Sequence, residues 1–320
     1  MNFLVTGGAG FIGANFIRHM LASRTDTRII NLDLLTYAGN QNNLKDVETK
    51  PRYSFIRGDI CDKKVVNAIL DSSAIDVIVH FAAESHVDRS ITDPSAFVRT
   101  NVIGTHTLLE CASKHAVKKF IHISTDEVYG SSPDRSFKET DILSPSSPYS
   151  ASKAGSDLLA LSYFTTYNFP VIVTRCTNNF GPYQHPEKLI PLFITNLLEG
   201  KKVPVYGTGN NIRDWIHVDD HCRAVECIIE RGVPGEVYNI SGGNEKTNLE
   251  ITHKILECLN KDESAIQYVA DRPGHDFRYS LDCSKIQKLG WAPRHSFDDA
   301  LNGTIAWYRK NEWWWRPLKG

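Results

Sequence analysis

The amino-acid sequence predicts an α/β fold, with a doubly wound parallel sheet followed by a smaller C-terminal α/β domain. Three observations support this prediction. Short apolar runs alternate with helical patterns in the first half, a glycine cluster follows the first run, and the elements become shorter and less regular from about residue 181. Apolar strands separated by helices are typical of a parallel sheet that is covered on both faces. Crossover connections arrange such units as a doubly wound sheet.

The predicted elements follow one another at short intervals. The strands of the first half are Phe3–Thr6, Arg28–Leu32, Ser54–Arg57, Val77–Phe81, Phe120–Ser124 and Val171–Thr174. The helices are Phe11–Ala22, Lys63–Leu70, Ala96–Lys114 and Tyr149–Tyr167. The second half has predicted helices Lys188–Leu198, Asp220–Glu230, Leu249–Leu259 and Phe297–Lys310, and strands Val203–Tyr206 and Val237–Ile240. We therefore predict one domain over residues 1–180 and another over 181–320, with a ligand site in the crevice between them.

Composition excludes several classes of protein. The 320 residues include 36 Lys+Arg and 37 Asp+Glu, a net charge of -1, so nothing favours nucleic acid or an anionic membrane as partner. No apolar stretch approaches the ~18 residues that a transmembrane helix needs, and the N-terminal residues lack the basic region of a signal peptide. The seven cysteines form no CxxC pair. Scattered thiols favour a reducing cytoplasm, and we expect no metal site.

The first candidate site is a glycine turn between the first strand and the first helix. Gly7, Gly10 and Gly13 have the spacing GxxGxxG. A turn this tight needs residues without Cβ, so that the backbone can approach a pyrophosphate. The following helix N-terminus, which begins with Phe11 and Ile12, offers free N–H groups and a positive dipole end. The segment predicts a dinucleotide site, whereas a glycine-rich turn alone would need no ligand.

Carboxylates end the second and third predicted strands. Asp33 lies 20 residues after Gly13, where it can accept hydrogen bonds from both ribose hydroxyls and would repel a 2′-phosphate. This arrangement favours NAD over NADP. Asp59, followed by Ile60, ends the third strand and is predicted to contact the adenine. The alternative for Asp59 is that it caps the helix that starts near Asp62.

Tyr149 and Lys153 form a YxxxK motif within a helical pattern. The spacing of four residues puts both side chains on one helix face. Tyrosine has an ordinary pKa near 10 and is a poor base at neutral pH, but a nearby ammonium favours the phenolate. Lys153 could also bind the nicotinamide ribose. The motif is common on helices, so its value as evidence comes from the dinucleotide turn upstream.

Thr125, Asp126 and Glu127 leave the carboxyl end of a predicted strand. Ligands of open α/β sheets bind at that edge. Thr125 supplies a hydroxyl for a substrate hydroxyl, and two adjacent carboxyl groups can have their pKa values driven apart to give one acid and one base. The alternative is a solvated acidic turn.

The segments TGGAGFIG, STDEVYG and YSASK together resemble the extended short-chain dehydrogenase/reductase superfamily and, more narrowly, the nucleotide-sugar 4,6-dehydratases. The similarity runs nearly end to end. It includes FAAESHVDRS at 81–90, RCTNNFGPY at 175–183, PEKLIP at 186–191, IRDW at 212–215 and DRPGHD at 271–276. The Thr-Asp-Glu triplet discriminates, because the epimerases and decarboxylases of the superfamily usually lack the Asp-Glu pair.

The resemblance implies a redox-neutral dehydration with bound NAD⁺ as cofactor. Tyr149 would take the proton of the sugar C4 hydroxyl, Glu127 would remove the C5 proton, and Asp126 would protonate the departing C6 hydroxyl. The implied substrate is dTDP-glucose, with UDP-glucose as the nearest alternative. A 4-epimerase or decarboxylase, and a non-catalytic dinucleotide sensor, are more distant alternatives.

The resemblance also implies further contacts. Those expected for the cofactor, beside the residues above, are Ala82, Ala83, Thr100 and Asn179. Those expected for the substrate, beside the triplet, are Ser85, Asn178, Lys188, Leu189, Val205, Tyr206, Arg213, Asn248, Arg272 and His275. Ordinary alternatives are packing under the sheet for the small residues, a core or cap role for Thr100, and turn formation for the asparagines.

Two long helices, Ala96–Lys114 and Tyr149–Tyr167, have apolar residues beyond a single stripe. These are Phe97, Val98, Leu108 and Leu109 on the first helix and Leu158, Leu159, Leu161 and Phe164 on the second. Burial of a second helix face indicates a partner chain, and the resemblance implies a homodimer through these helices. Ordinary packing on the sheet is the alternative. We expect the Trp313-Trp314-Trp315 cluster to pack the terminal helix onto the body.

Overall fold

The computed structural model describes residues 1–271 and 274–319. Its strands are β1 (Asn2–Thr6), β2 (Arg28–Asp33), β3 (Tyr53–Arg57), β4 (Val77–His80), β5 (Lys119–Thr125), β6 (Val171–Cys176), β7 (Asn178–Phe180), β8 (Val203–Tyr206), β9 (Ile212–His217), β10 (Val237–Ile240), β11 (Glu245–Thr247) and β12 (Ile266–Val269). Its helices are α1 (Phe11–Ser23), α2 (Lys63–Ser72), α3 (Val87–Thr92), α4 (Ser95–Phe97), α5 (Thr105–Lys114), α6 (Pro148–Tyr167), α7 (Leu189–Leu198), α8 (Val218–Arg231), α9 (Asn248–Cys258), α10 (Ser284–Gln287), α11 (Phe297–Lys310) and α12 (Glu312–Trp315).

The large sheet confirms the predicted fold class. Its strand order is β10-β6-β5-β4-β1-β2-β3, and every neighbouring pair is parallel. All six strands predicted for the first half lie in it. The order reverses on either side of β1, so the crevice at the carboxyl ends of β1 and β4 is where such a sheet binds its ligand.

Strand β10 joins the large sheet although it lies beyond residue 180, the predicted domain boundary, which stays a prediction. β10 pairs with β6 at the edge of the large sheet. The preceding helix α8 packs against α1, where His19 and Arg24 contact Glu226. Both elements belong to the region that we placed in the second domain. The chain therefore returns to the first layer after it has entered the second, which a local sequence pattern cannot indicate.

The smaller part of the molecule contains short strands. One sheet has the order β11-β9-β7 and the other pairs β12 with β8. Of these five strands only β8 was predicted, because strands of three to six residues leave little periodicity. Helices α7, α9 and α11 enclose the core of this part together with the C-terminal tryptophans. Trp314 and Trp315 are buried as expected, whereas Trp313 is half exposed.

The first long helix is not continuous. Between α4 and α5 the backbone forms a π-helix over Val98–Gly104. In this wider turn, the Asn101 side chain accepts a hydrogen bond from Glu84 N at 2.9 Å and donates one to Glu84 O at 3.0 Å. Gly104 allows close packing, since a Cβ there would lie 2.5 Å from the Ile60 side chain. Such turns are frequent at functional sites.

The apolar residues of the two long helices range from buried to exposed, and Leu159, Leu161 and Phe164 are partly buried. Phe97, Leu108 and Leu109 are fully buried within the chain's own core, contrary to our expectation of a second covered face. Val98 and Leu158, in contrast, are 49% and 59% exposed. The π-helix packs against α6, so these exposed side chains lie on neighbouring helices.

Candidate active site

A cavity of about 330 Å³ lies at the carboxyl ends of the large sheet and extends to the second part of the molecule. It brings together most residues predicted from the sequence. The cofactor candidates that line it are Gly7, Gly10, Phe11, Ile12, Gly13, Asp33, Asp59, Ile60, Ala82, Ala83, Thr100, Tyr149, Lys153 and Asn179. The substrate candidates that line it are Ser85, Thr125, Asp126, Glu127, Asn178 and Lys188.

The glycine turn has a shape that suits a dinucleotide. Gly7 has φ 71°, and a Cβ there would lie 2.5 Å from Ala82 N. At Gly13 a Cβ would lie 2.4 Å from the carbonyl oxygen of Gly7. Gly10 is the N-cap of α1 and has no side chain to occupy the first N–H groups, and the first turn has no acidic residue. The helix N-terminus therefore presents its N–H groups and positive dipole end to the cavity, as a pyrophosphate requires.

Asp33 and Asp59, which the sequence predicts to contact the ribose and the adenine, both line the cavity. Asp33 accepts hydrogen bonds from Ala9 N at 2.9 Å and Leu35 N at 2.8 Å, which fix its carboxylate. Burial raises the pKa of Asp33, and these two N–H groups oppose that change. Asp59 accepts from Cys61 N and pairs with Arg99 at 2.6 Å. The helix-capping alternative for Asp59 is wrong, because Asp62 caps α2.

Helix α6 places Tyr149 and Lys153 on its buried side. Ser147 caps this helix in a capping box with Ser150, and Pro148 follows the cap directly. The Lys153 ammonium donates to the carbonyl oxygen of Ile123 at 2.7 Å. Burial lowers the pKa of Lys153 to about 8.

The pKa of Tyr149 differs from our expectation. Burial raises it well above the ordinary value, and the negative charge of Glu127 raises it further. A side-chain hydrogen bond with Thr125 opposes both effects. Without additional positive charge in the cavity, the protein therefore keeps Tyr149 as a neutral phenol.

Asp126 and Glu127 are placed by a single turn of 3-10 helix at the end of β5. Thr125 caps this turn, since its hydroxyl accepts from Glu127 N at 3.3 Å and also donates to Asp126 Oδ1 at 3.2 Å. Asp126 is only 3% exposed, and its Oδ2 has no hydrogen-bond partner among the described residues. Burial and the charge of Glu127 raise the pKa of Asp126 well above its usual value. This shift favours the protonated form of Asp126, and its burial shows that the solvated-turn alternative is wrong.

The remaining substrate candidates lie outside the cavity lining, in the second part of the molecule. They are Leu189, Val205, Tyr206, Arg213, Asn248 and His275, while Arg272 lies outside the described residues. Arg213 is 5% exposed, donates to Asp276 O at 2.9 Å and stacks on Tyr279 at 4.3 Å. Its charge lowers the pKa of Asp126, although burial dominates there. Through this effect on Asp126, Arg213 influences the cavity although it does not line it.

The predicted asparagines lie on a strand rather than in a turn. Asn178 and Asn179 begin β7, so the turn alternative for them is wrong. The Asn179 amide donates to Thr177 O at 3.0 Å, and its oxygen lies 2.9 Å from His221 Nδ1. Burial lowers the pKa of His221 to about 4, so this histidine is neutral at neutral pH.

Sequence reasoning missed one side of the cavity. Tyr37, His185 and Glu187 line it, and Arg89 both stacks on Tyr37 at 3.7 Å and lies 3.5 Å from Glu187. His185 and Glu187 belong to the HPEK segment that ends at Lys188. Because Lys188 was itself predicted to contact the substrate, its position next to them in the sequence was the signal that could have identified them.

Trp314 is a second cavity residue that was not predicted as part of the site. Its indole N–H donates to Asn43 Oδ1 at 2.7 Å, and the Asn43 amide donates to Ala9 O at 2.8 Å. The C-terminal tryptophans therefore contact the loop beside the glycine turn.

One group of side chains among the described residues has the types and spacing of metal ligands: His217, Asp219 and His295. Both histidines already have structural roles. His217 caps α8, and His295 Nδ1 lies 3.1 Å from Asp220 Oδ2. In the part of the chain that the structure describes, no helix has the length and apolar character to cross a membrane.

Comparisons with known proteins agree with this geometry. A family model described as GDP-mannose 4,6 dehydratase matches residues 4–304. The chain is 53% identical over 324 residues to the dTDP-glucose 4,6-dehydratase of Streptomyces niveus, covering 100% of this chain and 96% of that protein. It is 48% identical over 352 residues to the dTDP-glucose 4,6-dehydratase of Escherichia coli, covering 100% of this chain and 97% of the relative.

Solved structures give the same result. The dTDP-glucose 4,6-dehydratase DesIV of Streptomyces venezuelae, crystallised with NAD, has a TM-score of 0.97 and 54% identity, covering 99% of this chain and all of that one. The UDP-glucose 4-epimerase of Thermus thermophilus, also solved with NAD, has a TM-score of 0.90 and 29% identity, covering 97% of this chain and all of that one. The fold is thus shared with epimerases, whereas sequence identity is much higher with the dehydratase.

Proposed function

The chain belongs to the nucleotide-sugar 4,6-dehydratase family, and we propose from this membership and from the site that it converts dTDP-glucose to dTDP-4-keto-6-deoxy-glucose. The reaction removes one water from the sugar and leaves no net change in redox state. Relatives at about half identity over the whole chain are dTDP-glucose 4,6-dehydratases, which favours thymidine over uridine in the nucleotide. NAD fits the glycine turn and Asp33, and when bound it would accept the hydride from C4 and deliver it to C6 after water has left, so the sugar is dehydrated with no net redox change.

One observation supports dehydration over epimerisation. Two carboxyl groups, Asp126 and Glu127, line the same cavity as Tyr149 and Lys153. An epimerase needs a base for one hydroxyl proton, whereas a 4,6-dehydration needs in addition a base at C5 and an acid at C6. The raised pKa of Asp126 favours the protonated form that such an acid needs.

Tyr149 is the proposed base in the first proton transfer. As the phenolate, Tyr149 takes the proton from the C4 hydroxyl of glucose, and the positive charge of Lys153 favours that phenolate form. Burial and Glu127 hold the pKa of Tyr149 high. Proton transfer therefore requires positive charge near the phenol, and the buried ammonium of Lys153 is the protein's own source.

Glu127 and Asp126 are the proposed base and acid of the elimination. Oxidation at C4 gives a ketone that acidifies the C5 proton, and Glu127 removes that proton. Asp126 then gives its proton to the C6 hydroxyl, which departs as water. Glu127 returns its proton to C5 as C6 is reduced, which completes the 4-keto-6-deoxy product. Asp126 and Lys153 are each only 3% exposed. A site closed to this degree retains the ketone intermediate and excludes competing water.

The second part of the molecule supplies the proposed nucleotide contacts. Lys188 reaches back to the first part, where its ammonium donates to Ser85 O at 3.0 Å. Arg213 is suited to a diphosphate, because its planar guanidinium can donate two parallel hydrogen bonds. Asn248 has a buried side-chain oxygen without a partner among the described residues, a position that a nucleoside donor could satisfy.

The proposed homodimer rests on the exposed apolar side chains of the π-helix and α6. Val98, Ile103 and Leu158 are each about half exposed on these neighbouring helices. A second copy would cover them in a two-fold contact. Leu158→Glu should convert the dimer to a monomer in light scattering. Ile142→Glu, at an apolar residue that is 87% exposed elsewhere, should leave the dimer intact, and an unchanged mass for Leu158→Glu would contradict this interface.

All seven cysteines have free thiols in the structure. This supports the proposed reducing, cytoplasmic location, since free thiols persist where disulfides are not formed.

A product assay tests the function directly. The purified protein is incubated separately with dTDP-glucose and UDP-glucose without added reductant, and each product is identified by mass spectrometry. Loss of one water from dTDP-glucose, without accumulation of reduced nicotinamide, is the expected result. An isomer of unchanged mass would instead establish an epimerase. Absence of conversion by a protein that binds NAD would contradict the proposal and favour a dinucleotide sensor.

A further inference from the structure

Helix α6 has a third functional side chain on the face of Tyr149 and Lys153. Asp157 follows Lys153 by four residues, as Lys153 follows Tyr149, so all three lie along one face. The Asp157 side chain is fully buried. The mechanism above gives it no role, and a buried carboxylate is costly unless it is paired.

Asp157 is held by side chains from the two strands under α6. Arg175 on β6 donates from Nε to Asp157 Oδ2 at 2.9 Å. The Nε2 atom of His122, on β5, lies 3.4 Å from Asp157 Oδ1. His122 also precedes Ile123, whose carbonyl oxygen accepts from Lys153. The carboxylate and the ammonium are therefore both held against the same stretch of β5.

The buried groups around Asp157 carry more positive than negative charge. Lys153 and Arg175 are two buried cations, and both interact electrostatically with the carboxylate of Asp157 on α6. His122 and His80 are fully buried with lowered pKa values, so neither adds a positive or negative charge at neutral pH. The other titratable groups that face the cluster are Cys176 on β6, whose pKa burial raises to about 12, and Tyr129, whose hydroxyl accepts from Arg175 at 2.8 Å.

We propose that Asp157 is a positioning residue for the proposed dehydration: its buried carboxylate keeps Lys153 charged, and Lys153 in turn supports Tyr149 as the base. Asp157 contacts neither the cavity nor the reacting atoms, so it acts only through Lys153. Burial lowers the pKa of Lys153 to about 8, and the negative charge of Asp157 is the first effect that opposes this. Removal of that charge should therefore lower the pKa of Lys153 further.

The first measurement is the titration of Lys153 by NMR in protein labelled at the lysine side chains, with Lys153→Met used to assign the signal. In Asp157→Asn the titration midpoint should fall by about one unit or more. Asp157→Glu keeps the charge and should restore most of the midpoint. An unchanged midpoint in folded Asp157→Asn would overturn the proposal.

The second measurement is the pH profile of kcat with dTDP-glucose. The alkaline limb reports loss of the Lys153 proton, so in Asp157→Asn it should move to lower pH by the same amount as the NMR midpoint. A merely structural role would lower kcat at every pH and leave the limb in place, and that result would also overturn the proposal. If Asp157→Asn fails to fold, Arg175→Gln is measured instead. Loss of that cation should move both the midpoint and the limb to higher pH, and no shift would contradict the proposal.

The proposal rests on the proposed function, and the two measurements separate their failures. If the wild-type protein does not dehydrate dTDP-glucose, the function is wrong, and the NMR midpoint still decides whether Asp157 sets the charge of Lys153. If conversion is normal and the midpoint does not move, only the role of Asp157 is wrong.

Discussion

The catalytic wall of the cavity and the proposed nucleotide wall, which lies outside the cavity lining in the second part of the molecule, are built from different kinds of backbone. The catalytic wall uses a seven-stranded parallel sheet and α6, a helix of 20 residues. The nucleotide wall uses strands of three to six residues, such as β9 and β11, and the loop around His275. Groups that transfer protons must be placed to within a fraction of an ångström, and regular, deeply buried elements provide that rigidity. Groups that bind a nucleotide tolerate shorter elements.

The difference is also electrostatic. On the catalytic wall, burial moves the pKa values of Tyr149, Lys153 and Asp126 away from their ordinary values. On the nucleotide wall, Arg213 already donates to backbone carbonyls, and His275 Nδ1 lies 2.6 Å from Asp271. The first wall is therefore expected to govern kcat, and the second to govern KM.

The largest effect is expected at Tyr149. Tyr149→Phe removes the proposed base and should reduce kcat by about 10³–10⁴-fold, at the upper end for one acid–base group. Reduction of bound NAD by dTDP-glucose, followed by absorbance in a single turnover, should be lost as well. Tyr167→Phe makes the same change at an exposed end of the same helix and should have no effect. Near-normal reduction in Tyr149→Phe would show that another group is the base.

Glu127→Gln should reduce product formation by about 10²–10³-fold, because the C5 proton loses its base. C4 oxidation should survive in part, so reduced nicotinamide should accumulate where the wild type shows little. The matched control is Glu257→Gln, at an exposed glutamate on α9. Unchanged turnover would remove Glu127 from the mechanism, and loss of both steps together would show that it acts before elimination.

Asp33→Ala should weaken NAD binding by about 10–100-fold, the usual value of hydrogen bonds to a charged group. The affinity for dTDP-glucose should change much less, as measured by calorimetry with each ligand. Asp26→Ala lies just before the opposite end of the same strand and serves as the control. Unaltered NAD affinity would contradict the role of Asp33.

The smallest effect is expected on the nucleotide wall. Arg213→Lys keeps the charge near Asp126 but loses the planar fork, so KM for dTDP-glucose should rise about 5–10-fold with kcat nearly unchanged. Steady-state kinetics measures both constants, with Arg309→Lys as an exposed control. A fall in kcat without a change in KM would show that Arg213 affects the catalytic step rather than substrate binding.

The same contrast explains which features the sequence could predict. Tyr149 and Lys153 were predictable, because a spacing of four on a long helix has one geometric meaning. β7 and β11 were not, since three residues have no detectable period. The π-helix over Val98–Gly104 was also invisible, because its apolar pattern is compatible with an ordinary helix and the widened turn brings Asn101 to the distant backbone of Glu84. The pairing of Arg89 with Glu187 likewise depends on tertiary structure.

The raised pKa of Tyr149 teaches a related lesson. The sequence shows the ammonium of Lys153 one turn away but not the depth of burial or the nearby charge of Glu127, and these dominate. Conversely, a raised pKa for one of the two adjacent carboxyl groups could be anticipated from the sequence, although burial is the larger cause of the shift at Asp126. Residue types indicate the chemistry, and the fold determines the protonation state.

The hydrogen bond from Trp314 to Asn43 joins residues that are 271 positions apart. Asn43 in turn holds Ala9, next to the glycine turn. During synthesis on the ribosome the large sheet could begin to form early, but the part of the cavity that Trp314 lines is incomplete until that residue has emerged. Tight retention of the dinucleotide would then begin only late in translation, so a prematurely released chain would be distinguishable from a finished one by its failure to hold the cofactor.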